Sequence, residues 1–167
     1  MKKMKKYFAG LLLTAVALVG TSSAQETTPA RAHSAEVNQA RALLQVARKE
    51  TLQDEIRFTD DEAAQFWPLY EKYQATLQVV RDRYAEMLVD YINSYRAGTV
   101  TEARADRLVE DYLGIEAEIL DIKKQFLGEF REILPARKAA RFYQLENKME
   151  VELQYQLSTI VPLIDPV

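Results

Sequence analysis

The sequence contains no cysteine and a single histidine, His33. Without cysteine, the chain can form neither a disulfide nor a thiolate metal site. Because His33 falls in a polar N-terminal arm, no Ser/His/Asp or Cys/His constellation can be built around it, and no glycine-rich phosphate loop occurs. We therefore predict that the protein is not an enzyme and that it uses no cofactor.

A cluster of carboxylates is the remaining candidate for chemistry. His33 could approach Asp60, Asp61 and Glu62, but a transition-metal site normally has several histidine or cysteine ligands. The three acidic residues follow Thr59 at the start of a helical pattern, where a capping role accounts for them. We predict a solvated histidine beside a helix cap, and no metal site.

Glycine and proline are also scarce, with five of each in 167 residues. No stretch alternates apolar and polar residues in the way that a half-buried strand does. The sequence therefore predicts an all-α fold.

The first 24 residues have the pattern of a secretory signal peptide. Four lysines precede an apolar stretch, residues 8–20, that is too short to span a membrane, and the small residues Ser22, Ser23 and Ala24 suit cleavage. An uncleaved membrane anchor is the alternative. Cleavage would leave a periplasmic protein without stable membrane insertion, consisting of a flexible arm (25–33) and one helical domain (34–167) with an extended C-terminal tail.

The charge of the mature chain argues against two classes of partner. The whole chain carries −3, and the leader contributes four lysines and no acid, so the mature chain carries −7. Nucleic acids and anionic lipids are negatively charged and bind clusters of lysine and arginine, whereas the mature chain is acidic. We predict no nucleic-acid partner.

The chain is organised around one long helix over residues 59–97. Thr59 and Glu62 predict a capping box at its start, and Gly98 ends it. Pro68 either kinks this helix or divides it in two. Large apolar residues recur at spacings of four and three, which places one seam along a helix of about 55 Å: Phe66, Tyr70, Tyr73, Leu77, Val80, Tyr84, Met87, Tyr91 and Tyr95.

A second long helix supplies a matching seam. Thr101 caps it after a short connection, and it continues to about Leu134. Two helices of this length joined by so short a turn must pack as an antiparallel hairpin. A helix from Ser34 to Ile56 precedes the hairpin, a helix beginning at Pro135 follows it, and an apolar tail from residue 159 docks on a groove or on a neighbouring subunit.

Two helix starts in this chain are similar to each other. Residues 58–62 read FTDDE and residues 100–104 read VTEAR, each with an apolar residue, a threonine cap and a charged first turn. With the leader, the absence of cysteine and the long hairpin, these segments resemble the Spy/CpxP family of periplasmic helical proteins over residues 41–157. That family is marked by LTxxQ motifs at helix starts, in which Phe58 and Val100 here replace leucine.

The resemblance implies a thin, curved subunit that dimerises into a cradle. It also implies an ATP-independent chaperone for unfolded periplasmic proteins, or an accessory inhibitor of an envelope-stress sensor kinase. A metal-responsive branch of the family relies on histidine-rich ligands that this sequence lacks.

Apolar residues beside the main seam make the apolar stripe on the long helix wider than two helices would cover. We therefore predict a homodimer, with a closed monomeric bundle as the alternative. The predicted client or dimer surface consists of Leu69, Tyr84, Leu88, Tyr91, Ile92 and Tyr95. A candidate basic rim consists of Arg81, Arg83, Arg137, Lys138 and Arg141.

These observations predict a periplasmic holdase-type chaperone or envelope-stress binding protein that contacts apolar segments of unfolded or partly folded proteins. The alternative is a regulatory partner of a membrane sensor or of a specific envelope protein, without general chaperone activity. A third hypothesis is a structural helical protein whose seams serve only as core.

Overall fold

A computed structural model describes residues 28–165. Within that range the chain forms no strand and four helices: α1 (Thr28–Ile56), α2 (Asp60–Arg96), α3 (Glu102–Ile133) and α4 (Ala136–Ser158). The predicted all-α fold, with a long hairpin between two flanking helices, is confirmed. The predicted signal peptide lies outside the described residues.

Helix α1 begins earlier than the sequence predicted. It starts at Thr28, so residues 28–33 are helical and Ser34 is not the first cap. Pro29 lies in the first turn, where its missing N–H has no helical partner to lose. The alanines that follow favour helix, which explains why the helix extends into the predicted arm. Residues 25–27 of that arm lie outside the described residues.

Helices α2 and α3 form the predicted antiparallel hairpin. Arg104 donates to Asp90 at 2.6 Å near the turn, and the rings of Tyr73 and Phe126 lie 5.3 Å apart further along. Residues further along α2 therefore contact residues nearer the start of α3, which makes the two helices antiparallel. Pro68 lies inside α2 and does not divide it, although a proline there leaves one carbonyl of the preceding turn without its helical donor.

The turn of the hairpin closes with a Schellman motif. The Thr99 N–H donates to the Ser94 carbonyl at 2.9 Å, and the Gly98 N–H donates to the Tyr95 carbonyl at 3.0 Å. Gly98 has a φ of 64°, the left-handed conformation that glycine adopts without steric cost. The glycine therefore sets both the end of α2 and the direction of α3.

The two threonine caps differ. The Glu62 N–H donates to Thr59 Oγ1 at 3.3 Å and the Thr59 N–H donates to Glu62 Oε2 at 2.8 Å, which completes the predicted capping box. Thr101 is the N-cap of α3, as predicted, with the same extended backbone, but its side chain makes no capping bond. Its third helical residue is Arg104, which has no acceptor with which to complete a box.

The tertiary contacts group into two compact units. The first contains α1 and residues Gln144–Gln156 of α4, and the second contains residues Phe58–Tyr143 and the segment after Gln156. That residues 34–167 form one domain stays a prediction.

The first unit contains a buried ion pair. Arg48 Nη1 lies 3.2 Å from Glu146 Oε2, with side chains only 8% and 3% exposed. The buried apolar residues of this unit are Ala47, Leu52, Ile56, Leu145 and Met149. Burial of the Arg48 guanidinium is tolerable because the carboxylate of Glu146, which is distant in sequence, pairs with it.

Candidate functional site

The second unit has a closely packed aromatic end. We use this name for Phe66, Tyr70, Tyr73, Phe126, Phe130 and Phe142, none of which is more than 2% exposed. The ring of Phe130 lies 4.5 Å from that of Phe142 and 5.3 Å from that of Phe66. Tilted and edge-on rings at these distances stabilise one another beyond their buried area. This half of the predicted seam is therefore core and offers no binding surface.

The opposite part of the hairpin, next to its turn, is packed less closely. We call residues 84–95 of α2 and 100–112 at the start of α3 the turn end. Its large apolar side chains include half-buried Met87, Leu88, Ile92 and Leu108. A cavity of about 310 Å³ opens between the two helices there. The second half of the seam therefore retains accessible apolar surface.

The cavity at the turn end combines apolar and charged walls. Its lining consists of Met87, Asp90, Tyr91, Val100, Arg104, Arg107, Leu108 and Asp111. Arg104 pairs with Asp90, and its side chain is 40% exposed. With two arginines and two aspartates the lining has no net charge.

Tyr91 is buried, which corrects its prediction as a surface residue. Only 6% of it is exposed, and its hydroxyl donates to the Pro162 carbonyl at 2.7 Å. Burial raises the pKa of this hydroxyl, and Tyr95 and Asp165 raise it further. The phenol therefore stays protonated and remains a donor. Tyr91 is covered because the C-terminal segment docks on the hairpin, as the apolar tail predicts.

The other residues of the predicted client or dimer surface are half-buried: Leu69, Tyr84, Leu88, Ile92 and Tyr95. Leu69 belongs to the helical turn that carries the aromatic end, whereas the remaining four lie at the turn end. Burial raises the pKa of the Tyr84 hydroxyl, with added repulsion from Tyr112 and Glu116. With Tyr91, five of the six predicted surface residues therefore lie at the same end of the hairpin.

The predicted basic rim consists largely of side chains that bond to the protein itself. Lys138 pairs with Glu62 at 2.5 Å, Arg83 pairs with Glu118, and Arg81 donates to Gln74 at 3.1 Å. The remaining two members, Arg137 and Arg141, are exposed near the start of α4. Lys138 holds the pKa of Glu62 below its ordinary value, aided by the Thr59 N–H.

An exposed apolar stripe on α3 was missed by the sequence analysis. Val109 is 56% exposed, Leu113 59% and Leu120 51%. Their spacings of four and seven were a readable signal. The stronger seam of isoleucines and phenylalanines on the same helix concealed it, because both patterns have the helical period. We call these three residues the α3 stripe.

Among the side chains that the structure describes, which do not include His33, no group of three or more histidine, cysteine, aspartate or glutamate residues could hold a metal ion. None of the described helices combines the length and the apolar character needed to cross a bilayer.

No protein-family model matches the chain, and neither a curated protein nor a solved structure matches it.

Proposed function

We propose that this protein is a periplasmic, ATP-independent holdase of the Spy/CpxP type, which binds exposed apolar segments of unfolded or partly folded proteins. The proposal rests on the accessible apolar surface at the turn end of the hairpin. Half-buried Met87, Val100 and Leu108 line an open cavity of about 310 Å³ there, together with four charged side chains. The leader in residues 1–24 supports an envelope location.

The chemistry of the turn end suits a variable client. Met87 and Leu88 are flexible apolar side chains that adapt to different partners, and Met87 lines the cavity. The charged rim, Asp90, Arg104, Arg107 and Asp111, keeps this surface soluble when it is empty. Such a surface holds a client by apolar contact and releases it without nucleotide hydrolysis.

The first test is an aggregation assay. At stoichiometric concentration, the protein should delay light scattering by a chemically unfolded model protein. Met87→Ser should weaken this delay because Met87 is a half-buried apolar residue that lines the cavity at the turn end. Val89→Ser is the matched control, since Val89 is 53% exposed and is not among the residues that line the cavity. No delay by the unsubstituted protein would refute the holdase function.

The α3 stripe supports a homodimer. An antiparallel second copy could set Leu113 against Leu120, which would remove both side chains from water. In the same register, Glu102 of one copy faces Arg131 of the other, and both residues are exposed. Opposed charges at the two ends of an apolar stripe favour antiparallel pairing.

Light scattering tests this dimer. The unsubstituted protein should have the mass of two chains, and Leu120→Lys should shift it to one. Gln125→Lys introduces the same charge at another exposed position of α3 and should leave the dimer intact. A monomeric unsubstituted protein would refute self-association.

A regulatory partner of a membrane sensor or a specific envelope protein is the second candidate function. It is favoured by two ion pairs within the protein, Lys138 with Glu62 and Arg83 with Glu118. Basic side chains that are neutralised in this way cannot attract acidic clients. Under this alternative, affinity capture from the envelope should give one dominant partner, and the aggregation assay should show no delay.

A further inference from the structure

The C-terminal segment after α4 is held on the turn end by a contact that an unrelated peptide could also make. We call residues 159–165 the tail; they form neither helix nor strand. The Tyr91 hydroxyl donates to the Pro162 carbonyl at 2.7 Å. A backbone carbonyl is present in every residue of every peptide, so this bond does not require the sequence of the tail.

The tail has the chemistry of an unfolded client. It is largely apolar, and Pro162, which lacks a backbone N–H, prevents it from continuing α4. Ile160, Val161 and Pro162 are half-buried, whereas Leu163 is 88% exposed and Ile164 43%. The first half of the tail therefore packs on this unit, whereas Leu163 and Ile164 remain exposed.

The place where the tail docks adjoins the cavity. Tyr91 belongs to both, because its hydroxyl holds the tail and its side chain lines the cavity together with Met87 and Leu108. None of the tail residues is among those lining the cavity. A peptide taking the place of the tail would therefore lie beside a cavity lined by both apolar and charged side chains.

We propose that the tail is an intramolecular occupant of a peptide-binding groove at the turn end, and that clients bind there by displacing it with an extended apolar segment. The inference deepens the proposed chaperone function by naming the ligand as an extended apolar peptide and the tail as its competitor. An attached segment has a high effective concentration, so it keeps the groove covered until a longer apolar segment is present.

The test uses the full chain and a fluorescently labelled peptide with the sequence of residues 158–165. Val161→Ser weakens the half-buried part of the tail without altering the groove. It should therefore raise the affinity for the labelled peptide by about three- to tenfold. Leu163→Ser is the matched control, because Leu163 is almost fully exposed and its loss should leave the affinity unchanged.

A second substitution identifies the groove. Adding Tyr91→Phe to Val161→Ser keeps the ring but removes the donor, and should reduce the affinity for the labelled peptide by about three- to tenfold. Circular dichroism of each variant checks that the helices remain. Equal affinities for the unsubstituted and Val161→Ser proteins, or no binding to the Val161→Ser protein, would overturn the proposal.

Competition with an unfolded model protein separates this inference from the chaperone function. The unfolded protein should displace the labelled peptide from the Val161→Ser variant. Delayed aggregation without displacement would overturn the groove while leaving the chaperone function in place at another surface. Absence of both would overturn the chaperone function as well.

Discussion

The two ends of the hairpin are built from the same kind of seam but pack differently. At the aromatic end, Phe130 makes close ring contacts with Phe66 and Phe142, and all three are fully buried. At the turn end, Tyr84 and Tyr112 lie 6.1 Å apart, and both keep contact with solvent.

The difference follows from what a third element contributes. The start of α4 supplies Phe142 at the aromatic end, so three helices enclose the seam there. At the turn end, the additional element is the tail, whose Pro162 carbonyl accepts a hydrogen bond from the Tyr91 hydroxyl. Two helices alone cannot enclose bulky tyrosines, so apolar side chains there remain half-exposed. Stability is therefore concentrated at one end, and surface suited to binding at the other.

The largest expected effect is at the aromatic end. Phe130→Ala should lower the free energy of unfolding by about 3–5 kcal/mol, because it removes a ring that has no exposed surface and leaves a cavity. Denaturant titration measures the change. Leu120→Ala, in the same helix but 51% exposed, should cost about 1 kcal/mol or less. Similar losses for the two variants would show that the aromatic end is not the principal core.

The two helix caps offer a second comparison. Thr59→Ala should cost about 1 kcal/mol, since it removes one of the two bonds of the capping box at the aromatic end. Thr101→Ala, next to the turn, removes no side-chain bond and should change the unfolding free energy by no more than a few tenths of a kcal/mol. A larger loss at Thr101 would mean that its hydroxyl caps α3 in solution.

Acidification should loosen the aromatic end first. The pKa of Glu62 is lowered in the folded protein by Lys138 and by the Thr59 N–H, so its contribution is complete above its ordinary value of 4.5. That contribution is lost as the pH falls through the lowered pKa. Hydrogen exchange should show faster opening of the first turn of α2 below pH 4.5. Glu62→Gln should remove most of this pH dependence, and an unchanged dependence would contradict the assignment.

The smallest effect is expected at the ion pair between Arg83 and Glu118. Both side chains are about half exposed, so Arg83→Gln should cost about 0.5 kcal/mol or less, and less still at high salt. Thermal unfolding at low and high ionic strength measures this. A loss of several kcal/mol would show that this surface is less solvated than its exposure indicates.

Much of the fold was predictable because its causes are local. The four-three spacing of apolar residues, the FTDDE start of α2 and Gly98 each act through neighbours in sequence. The candidate site was predictable only in part. Leu88 and Ile92 lie at the turn end as half-buried residues, but Tyr91 is covered by a segment some seventy residues further along, which helical spacing cannot reveal.

The sequence by itself determined the helices, where α2 begins and ends, and the antiparallel hairpin, since periodicity, capping and a short turn are local constraints. Tertiary structure decided which half of each seam becomes core and which stays open. It also decided that Arg48 is buried against Glu146, that Lys138 pairs with Glu62, and that the tail reaches Tyr91. These outcomes depend on residues distant in sequence that compete for the same surface, and a helical pattern carries no information about which of them will occupy it.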